Sequence, residues 1–274
     1  MNIDEFEQTR AEKDPLRQAQ RATELIDVYK NRSAELARLR KAAIDRAYAE
    51  GRSYTDIAKA SGITKGRITQ IRKSAPPVAR AFFGVGPVTV AIPRRALDER
   101  PLGVIAAEDQ AAADAMAELL VLLGHQPRSF EIPPSGEWEP PADAVAICGP
   151  KSSHVTAEAI QSDPYLSFEP DSEGRWVITD RQTGEVFVSP WDAVGDKTRD
   201  IAYVARLTRN DRQVIVVAGV HALGSIGAVE YLRSNLDDLF GIVNEQPFSL
   251  VVASTFDDLT VTETEALWGP KVHS

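Results

Sequence analysis

The 274-residue sequence contains few of the residues that form disulfides or bind metals: it has one cysteine, Cys148, and four histidines. A single cysteine cannot form an internal disulfide, and neither a CxxC nor an HExxH motif is present. The sequence also lacks a run of about 18 apolar residues, and it begins with polar and acidic residues where a signal peptide is basic and then apolar. We therefore expect packed cores, no metal site, no membrane partner and a cytoplasmic location.

The acidic excess, 40 Asp and Glu against 31 Lys and Arg, is distributed unevenly. Residues 1–80 carry 17 basic and 11 acidic side chains, whereas residues 81–274 carry 14 and 29. The length favours two domains, and Pro76-Pro77 ends the helical pattern, so we predict a helical domain over 1–80 and a second domain over 81–274. The basic first domain suggests a polyanionic partner, and the alternative is a solvated basic helix face.

The first domain has the periodicity and end signals of successive helices. Apolar residues recur at three- and four-residue intervals over about 15–50, and Gly51 follows as a C-terminal cap. An S-x-x-D start signal at Ser53 predicts a second, short helix. Gly62 then marks a turn, and the hydroxyl of Thr64 suits the N-cap of a last helix.

The string SYTDIAKASGITKGRITQIRK, residues 53–73, has the spacing of a helix-turn-helix. It resembles the bacterial helix-turn-helix regulators, in particular the region 4 fold of sigma factors, over about Ser53 to Ser74, and no other sigma region is visible. The resemblance implies that the second helix docks on double-stranded DNA. The residues that this helix would present to DNA are Thr64, Lys65, Gly66, Arg67, Thr69, Gln70 and Lys73.

The chemistry of these side chains suits DNA, because Lys and Arg donate to guanine or phosphate oxygens and Gln can pair with adenine. The alternative is a helical hairpin that packs against another protein. Operators read by such motifs are usually bound by dimers, so the helix over Pro15 to Lys30 is a candidate dimer contact. Packing of that helix against its own module is the alternative.

After residue 80 the pattern changes to alternating strands and helices. It predicts an open, mostly parallel α/β sheet of the Rossmann-like or flavodoxin-like kind. Strands are predicted at 88–92, 102–106, near 130, at 144–148, 201–206, 214–218 and 249–254, and helices at 110–123, 155–161 and 225–240. A β-hairpin of residues 176–179 and 186–189 is predicted as an insertion.

Ligands of such sheets bind at the carboxyl ends of the strands, where two loops contain glycine. The loops are CGPKSSH, residues 148–154, and AGVHALGSIGA, residues 218–228; the second departs from GxGxxG and lacks a GK[ST] motif, so no cofactor is indicated. We expect the loops to converge on a pocket for a small anionic or nucleotide-like ligand. The candidate ligand-binding residues are Gly149, Lys151, Ser152, Ser153, Gly219, His221, Gly224 and Ser225. The alternative is that the glycines only permit tight turns.

The basic helical motif followed by the two glycine loops looks like a group of actinobacterial DNA-binding proteins that join such a module to an α/β domain. The sequence thus predicts a one-component transcriptional regulator, homodimeric on DNA, in which the second domain is a ligand sensor. One alternative is a nucleotide or nucleoside hydrolase, in which His154 and His221 would act if they meet. The other is an adaptor without a ligand. Asp192, Asp196 and Asp200 are expected to be solvated loop charges.

Overall fold

The structure, a computed structural model, describes residues 3–97, 100–209 and 212–273. Its helices are α1 (Ile3–Ala11), α2 (Pro15–Ala49), α3 (Tyr54–Ser61), α4 (Lys65–Ser74), α5 (Ala107–Leu122), α6 (His154–Gln161), α7 (Pro190–Val194) and α8 (Ala222–Val243), with a 3-10 helix over Val78–Phe83. Its strands are β1 (Thr89–Pro93), β2 (Arg95–Leu97), β3 (Arg100–Val104), β4 (Arg128–Ile132), β5 (Asp143–Ala146), β6 (Leu166–Pro170), β7 (Trp176–Asp180), β8 (Val186–Phe187), β9 (Arg199–Arg209), β10 (Arg212–Gly219), β11 (Phe248–Asp257) and β12 (Thr260–Val272).

The N-terminal helices begin and end at residues that satisfy free backbone groups. α2 follows Asp14, whose carboxylate accepts hydrogen bonds from two amides of the first turn. α3 starts with a capping box between Ser53 and Asp56, and Gly62 ends it in the left-handed conformation, with φ of 69°. The hydroxyl of Thr64 caps α4. The predicted end signals therefore lie where the helices end.

A small apolar core holds α3 and α4 against the C-terminal part of α2. Its buried members are Ile44, Ile57, Ile68 and Ile71. Burial of each such side chain contributes roughly 1.5–3 kcal/mol, so this cluster is the main stabilisation of a unit that contains no cysteine. Arg72 of α4 adds an ion pair of 2.6 Å to Asp45 of α2.

The α/β region contains a mixed seven-stranded sheet in the order β12-β11-β9-β10-β5-β1-β4. The pairs β4-β1, β1-β5 and β5-β10 are parallel, and the other three pairs are antiparallel. α5 and α8 cover one face, and α6 covers the other together with the three-stranded sheet β6-β7-β8. The predicted hairpin insertion is confirmed as β7 and β8, and β6 adds a third strand.

One predicted strand of the sheet needs correction. The predicted strand at 102–106 corresponds to β3, which within the described residues pairs with β2 in a hairpin outside the main sheet. β9 and β10 are antiparallel, because the connection between Arg209 and Arg212 is far too short for the crossover that a parallel pair needs. The parallel part of the sheet is therefore limited to β4, β1, β5 and β10.

The helical region is attached to the α/β region through the fully buried Arg80. Its guanidinium donates to the backbone and side-chain oxygens of Asn31 on α2, at 3.4 and 3.2 Å, and to the carbonyls of Val85 at 3.0 Å and Leu123 at 3.3 Å. The amide of Val85 donates in turn to Asp143, the first residue of β5. α2 therefore docks where the parallel strands begin, next to the C-terminal end of α5.

His125 lies in the same junction and predicts an acid-sensitive step in stability. Its ring is 3% exposed, Nε2 lies 3.1 Å from the Arg80 carbonyl, and burial lowers its pKa from 6.5 to about 4. Because the folded state resists protonation, stability is lost as the pH falls from 6.5 to 4. The shift corresponds to about 3 kcal/mol of unfolding free energy.

Urea unfolding at pH 7 and pH 4 tests this expectation in the wild type and in His125→Gln. The unfolding free energy of the wild type is expected to fall by about 3 kcal/mol more than that of His125→Gln over this interval. The variant lacks the buried imidazole whose pKa is lowered in the folded state. His154→Gln, at an exposed histidine, is the control and should follow the wild type. Parallel losses in the wild type and His125→Gln would contradict the assignment.

Candidate ligand and nucleic-acid sites

A cavity of about 660 Å³ lies at the carboxyl ends of β1, β5 and β10. The chain passes from β1 to β4 on one side and then to β5 on the other side of β1, so the direction of winding reverses between β1 and β5. Such a switch point leaves a crevice in which α/β sheets bind ligands. Arg94 and Arg95 follow β1, and the two glycine loops follow β5 and β10.

The two predicted loops meet in this cavity. Six of the eight candidate ligand-binding residues line it: Gly149, Lys151, Ser152, Gly219, His221 and Ser225. Ser153 instead caps α6, accepting from the Thr156 amide at 3.1 Å and from the Trp138 indole at 3.0 Å. Gly224 donates its amide to Asp200 at 2.8 Å. Ser153 and Gly224 therefore stabilise the starts of α6 and α8 and do not line the cavity.

Glycine is sterically required at two positions of the second loop but not at Gly149 of the first loop. A Cβ at Gly219 would lie 2.6 Å from the Ser225 nitrogen, and one at Gly224 would lie 2.5 Å from the Ile201 carbonyl oxygen, so the second loop needs both glycines for its tight turn. A Cβ at Gly149 would meet only the Phe168 ring, at an ordinary 3.9 Å. Packing of the chain therefore does not require glycine at position 149, which lines the cavity.

Asp200, which was expected to be solvated, is buried at the start of α8 and is 1% exposed. Its carboxylate accepts from the amides of His221 at 3.0 Å and Gly224 at 2.8 Å, and from the Ser189 hydroxyl at 2.8 Å. Burial raises the pKa of Asp200 to about 6. The positive end of α8 is therefore already occupied by a carboxylate of the chain, and these amides are not free for an external anion.

One histidine of the predicted pair lines the cavity and the other does not. The Nε2 atom of His221 lies 3.0 Å from the Asp192 carboxylate, and its ring stacks on Trp191 with centroids 4.4 Å apart. His154 is exposed, and its Nε2 atom lies 3.1 Å from the carbonyl of Ser135. The acid-base group that the site offers is thus His221 with Asp192, whose carboxylate orients the ring.

Cationic side chains from the loops after β1 and β5 line the cavity. Arg94 pairs with Glu131, and Arg95 pairs with Asp109 at 2.7 Å, while the ammonium of Lys151 has no ion-pair partner within the described ranges. The sequence-based prediction included Lys151 and missed both arginines. Their position directly after β1 is the signal that could have identified them, because it places them at the carboxyl end of a parallel strand.

Cys148 lines the cavity but lacks the properties of a nucleophile. Burial raises the pKa of its thiol to about 11, and Sγ lies 3.4 Å from the Thr156 hydroxyl. The thiolate form is therefore negligible at neutral pH. In the described part of the chain, no group of three or more His, Cys, Asp and Glu residues is arranged to hold a metal ion.

The second candidate site is the outer surface of α4. All seven predicted DNA-binding residues, from Thr64 to Lys73, are exposed. The Arg67 guanidinium donates to the Gln70 side chain at 2.6 Å, which holds the two side chains side by side. Arg72 of α4 is also exposed, and its guanidinium donates to Asp45 of α2 at 2.6 Å. α4 therefore presents a polar and basic surface while its isoleucines face α2 and α3.

Comparison of the chain with protein-family models, curated proteins and solved structures gives no match. Among the described residues, no helix is both long enough and apolar enough to cross a lipid bilayer. The function of the chain is therefore inferred from these two surfaces alone.

Proposed function

We propose that this chain is a one-component transcriptional regulator that binds operator DNA through α3 and α4 as a helix-turn-helix. The observation that carries the proposal is the exposed basic surface of α4, supported from behind by a buried isoleucine core. A short helix, a turn at Gly62 and a capped second helix suit insertion of α4 into the major groove. The exposed Lys, Arg, Gln and Thr side chains are those that contact bases and phosphates.

The α/β region is proposed as the sensor, Rossmann-like in its parallel strands, and its cavity as the site of a small anionic ligand. α5 is the element that connects the cavity to the helical region. Asp109 in its first turn lines the cavity, whereas Leu123 at its C-terminal end accepts a hydrogen bond from Arg80, which also bonds Asn31 of α2. Its 16 residues span about 24 Å. A shift of α5 on ligand binding would pass through Arg80 to α2, against which α3 and α4 pack.

A homodimer is part of this proposal, since operators of such proteins are commonly palindromic. α2 carries exposed apolar side chains that suit a contact with a second copy, namely Leu16, Ile26, Leu36 and Leu39.

Selection from a genomic fragment library tests the proposal. The full chain is incubated with the library at physiological salt, where nonspecific attraction is weak, and the retained fragments are sequenced. Enrichment of a palindromic motif is the expected result. A folded protein that enriches no motif would contradict the regulator.

The pair formed by His221 and Asp192 favours a second candidate, a nucleotide or nucleoside hydrolase. A histidine oriented by a carboxylate in a cavity wall can act as a general base toward water. If this candidate is right, His221→Ala and Asp192→Asn should each lower hydrolysis of AMP or adenosine by about 100-fold or more. The measurement is release of phosphate or nucleobase, with His154→Ala as the control. Recovery of both compounds unchanged by the wild type would count against an enzyme of this class.

A further inference from the structure

The cavity between β1 and β5 has two chemically different walls. One wall is cationic and is formed by Lys151 and Arg95. Lys151 has no ion-pair partner in the described part of the chain, and the Arg95 side chain is 49% exposed although one terminal nitrogen binds Asp109 at 2.7 Å. These groups can donate to an anion while Asp109 keeps its own bond. A phosphate group matches this arrangement of lysine and arginine donors.

The other wall is aromatic. Trp176 lines the cavity and is held edge-on against Phe168, with centroids 5.7 Å apart and an angle of 89°. This packing fixes the indole plane and leaves Trp176 only partly buried. A fixed aromatic side chain at the edge of a cavity is a stacking surface for a planar ring, and such stacking contributes about 1–3 kcal/mol for a nucleobase.

The cavity size and the glycine at 149 limit the ligand further. A volume of about 660 Å³ exceeds what a phosphate ion or a small dicarboxylate would fill. Gly149 lines the cavity beside Phe168, two residues before Lys151, and packing of the chain does not explain why it lacks a side chain. A ligand that joins an anionic group to a planar ring would use both walls and the space above Gly149.

We infer that the cavity binds a mononucleotide, with its phosphate at Lys151 and Arg95 and its base against Trp176. The carboxylates of Glu173 and Asp192 also line the cavity and can accept hydrogen bonds from ribose hydroxyls or base amino groups. The inference rests on the proposed function, because it names the class of anion that the sensor takes.

Calorimetric titration of the full chain tests the inference with AMP, GMP, CMP, UMP, adenosine, ribose 5-phosphate and inorganic phosphate. At least one of the four nucleotides is expected to bind tenfold or more tightly than adenosine, ribose 5-phosphate and phosphate. Lys151→Ala should weaken binding of that nucleotide at least tenfold and leave the affinity for adenosine unchanged. Trp176→Ala should weaken binding of both the nucleotide and adenosine. Lys59→Ala, which removes a lysine of α3, is the charge-matched control and should bind like the wild type.

Gly149→Leu provides a variant that fills the cavity, and circular dichroism shows whether it is folded. A folded Gly149→Leu should bind none of the probes. Binding of ribose 5-phosphate as tightly as every nucleotide would overturn the nucleotide inference and leave a sensor of small anions. Absence of binding by all seven probes would overturn it too, and retention of operator DNA by the same sample would show that the DNA-binding proposal stands independently. Nucleotide binding that is unchanged in Lys151→Ala and Trp176→Ala would place the site elsewhere.

Discussion

Replacing Lys65 and Arg67 together by alanine is expected to weaken operator binding by roughly 100-fold or more at physiological salt. Both side chains are exposed in the first turn of α4, and the Thr64 hydroxyl caps the Arg67 amide at 3.2 Å, which fixes this turn. Contacts of lysine and arginine to phosphates or guanine contribute about 1–3 kcal/mol each. The double variant removes two such donors.

Fluorescence anisotropy with a fragment from the genomic selection measures this effect over a range of salt concentrations. Loss of two phosphate contacts would also reduce the slope of log K against log salt by roughly two. The double variant Arg10→Ala/Lys13→Ala removes two exposed charges outside α4; it is the charge-matched control and should bind like the wild type. Thermal unfolding should be nearly unchanged in all variants, because none of these side chains is buried. An unaltered affinity of the double variant would refute the assignment of α4 to DNA.

Helices α2, α3 and α4 could be predicted from the sequence because their end signals are local. Gly51, Ser53, Gly62 and Thr64 act on backbone groups within four residues of themselves, so their meaning does not depend on the rest of the fold. The strand-loop-helix units before α6 and α8 were predictable for the same reason. Each combines a buried apolar run with a glycine-containing turn and an apolar helix.

The antiparallel half of the sheet was less predictable, because pairing depends on contacts that are distant in sequence. β12 is an edge strand of exposed and partly buried residues with no fully buried position, so it lacks the apolar run that identified β11. Leu250 and Val252 of β11 are completely buried, and their strand was predicted. Edge position therefore weakened the signal of β12.

Site residues contributed by other elements were missed for a related reason. Arg95, Trp176 and Asp192 come from three separate segments, and only the topology brings them to one cavity. Asp200 was expected in solvent as a loop charge, but it lies in β9. Its carboxylate is buried because it satisfies amides at the start of α8, which the spacing along the chain did not indicate.

Gly219→Ala and Gly149→Ala are expected to differ strongly although both lie in glycine loops at the carboxyl ends of strands. A methyl group at Gly219 would overlap the carbonyl oxygen of His221 and lie 2.6 Å from the Ser225 nitrogen. These are backbone atoms of the turn that connects β10 to α8, so the turn must open to admit the methyl group. Overpacking against backbone costs about 3 kcal/mol, and here β10 and α8 would both shift.

At Gly149 the same substitution meets only the Phe168 ring, at 3.9 Å, and the backbone is not in the left-handed region. Alanine also restricts the unfolded chain, so the variant should unfold within about 1 kcal/mol of the wild type. Urea unfolding of the three proteins measures the difference. If Gly219→Ala were as stable as Gly149→Ala, the tight turn before α8 would not be the reason for its glycine. A large loss in Gly149→Ala would mean that the space beside Lys151 is filled by the chain itself, and the ligand cavity would then lose its clearest support.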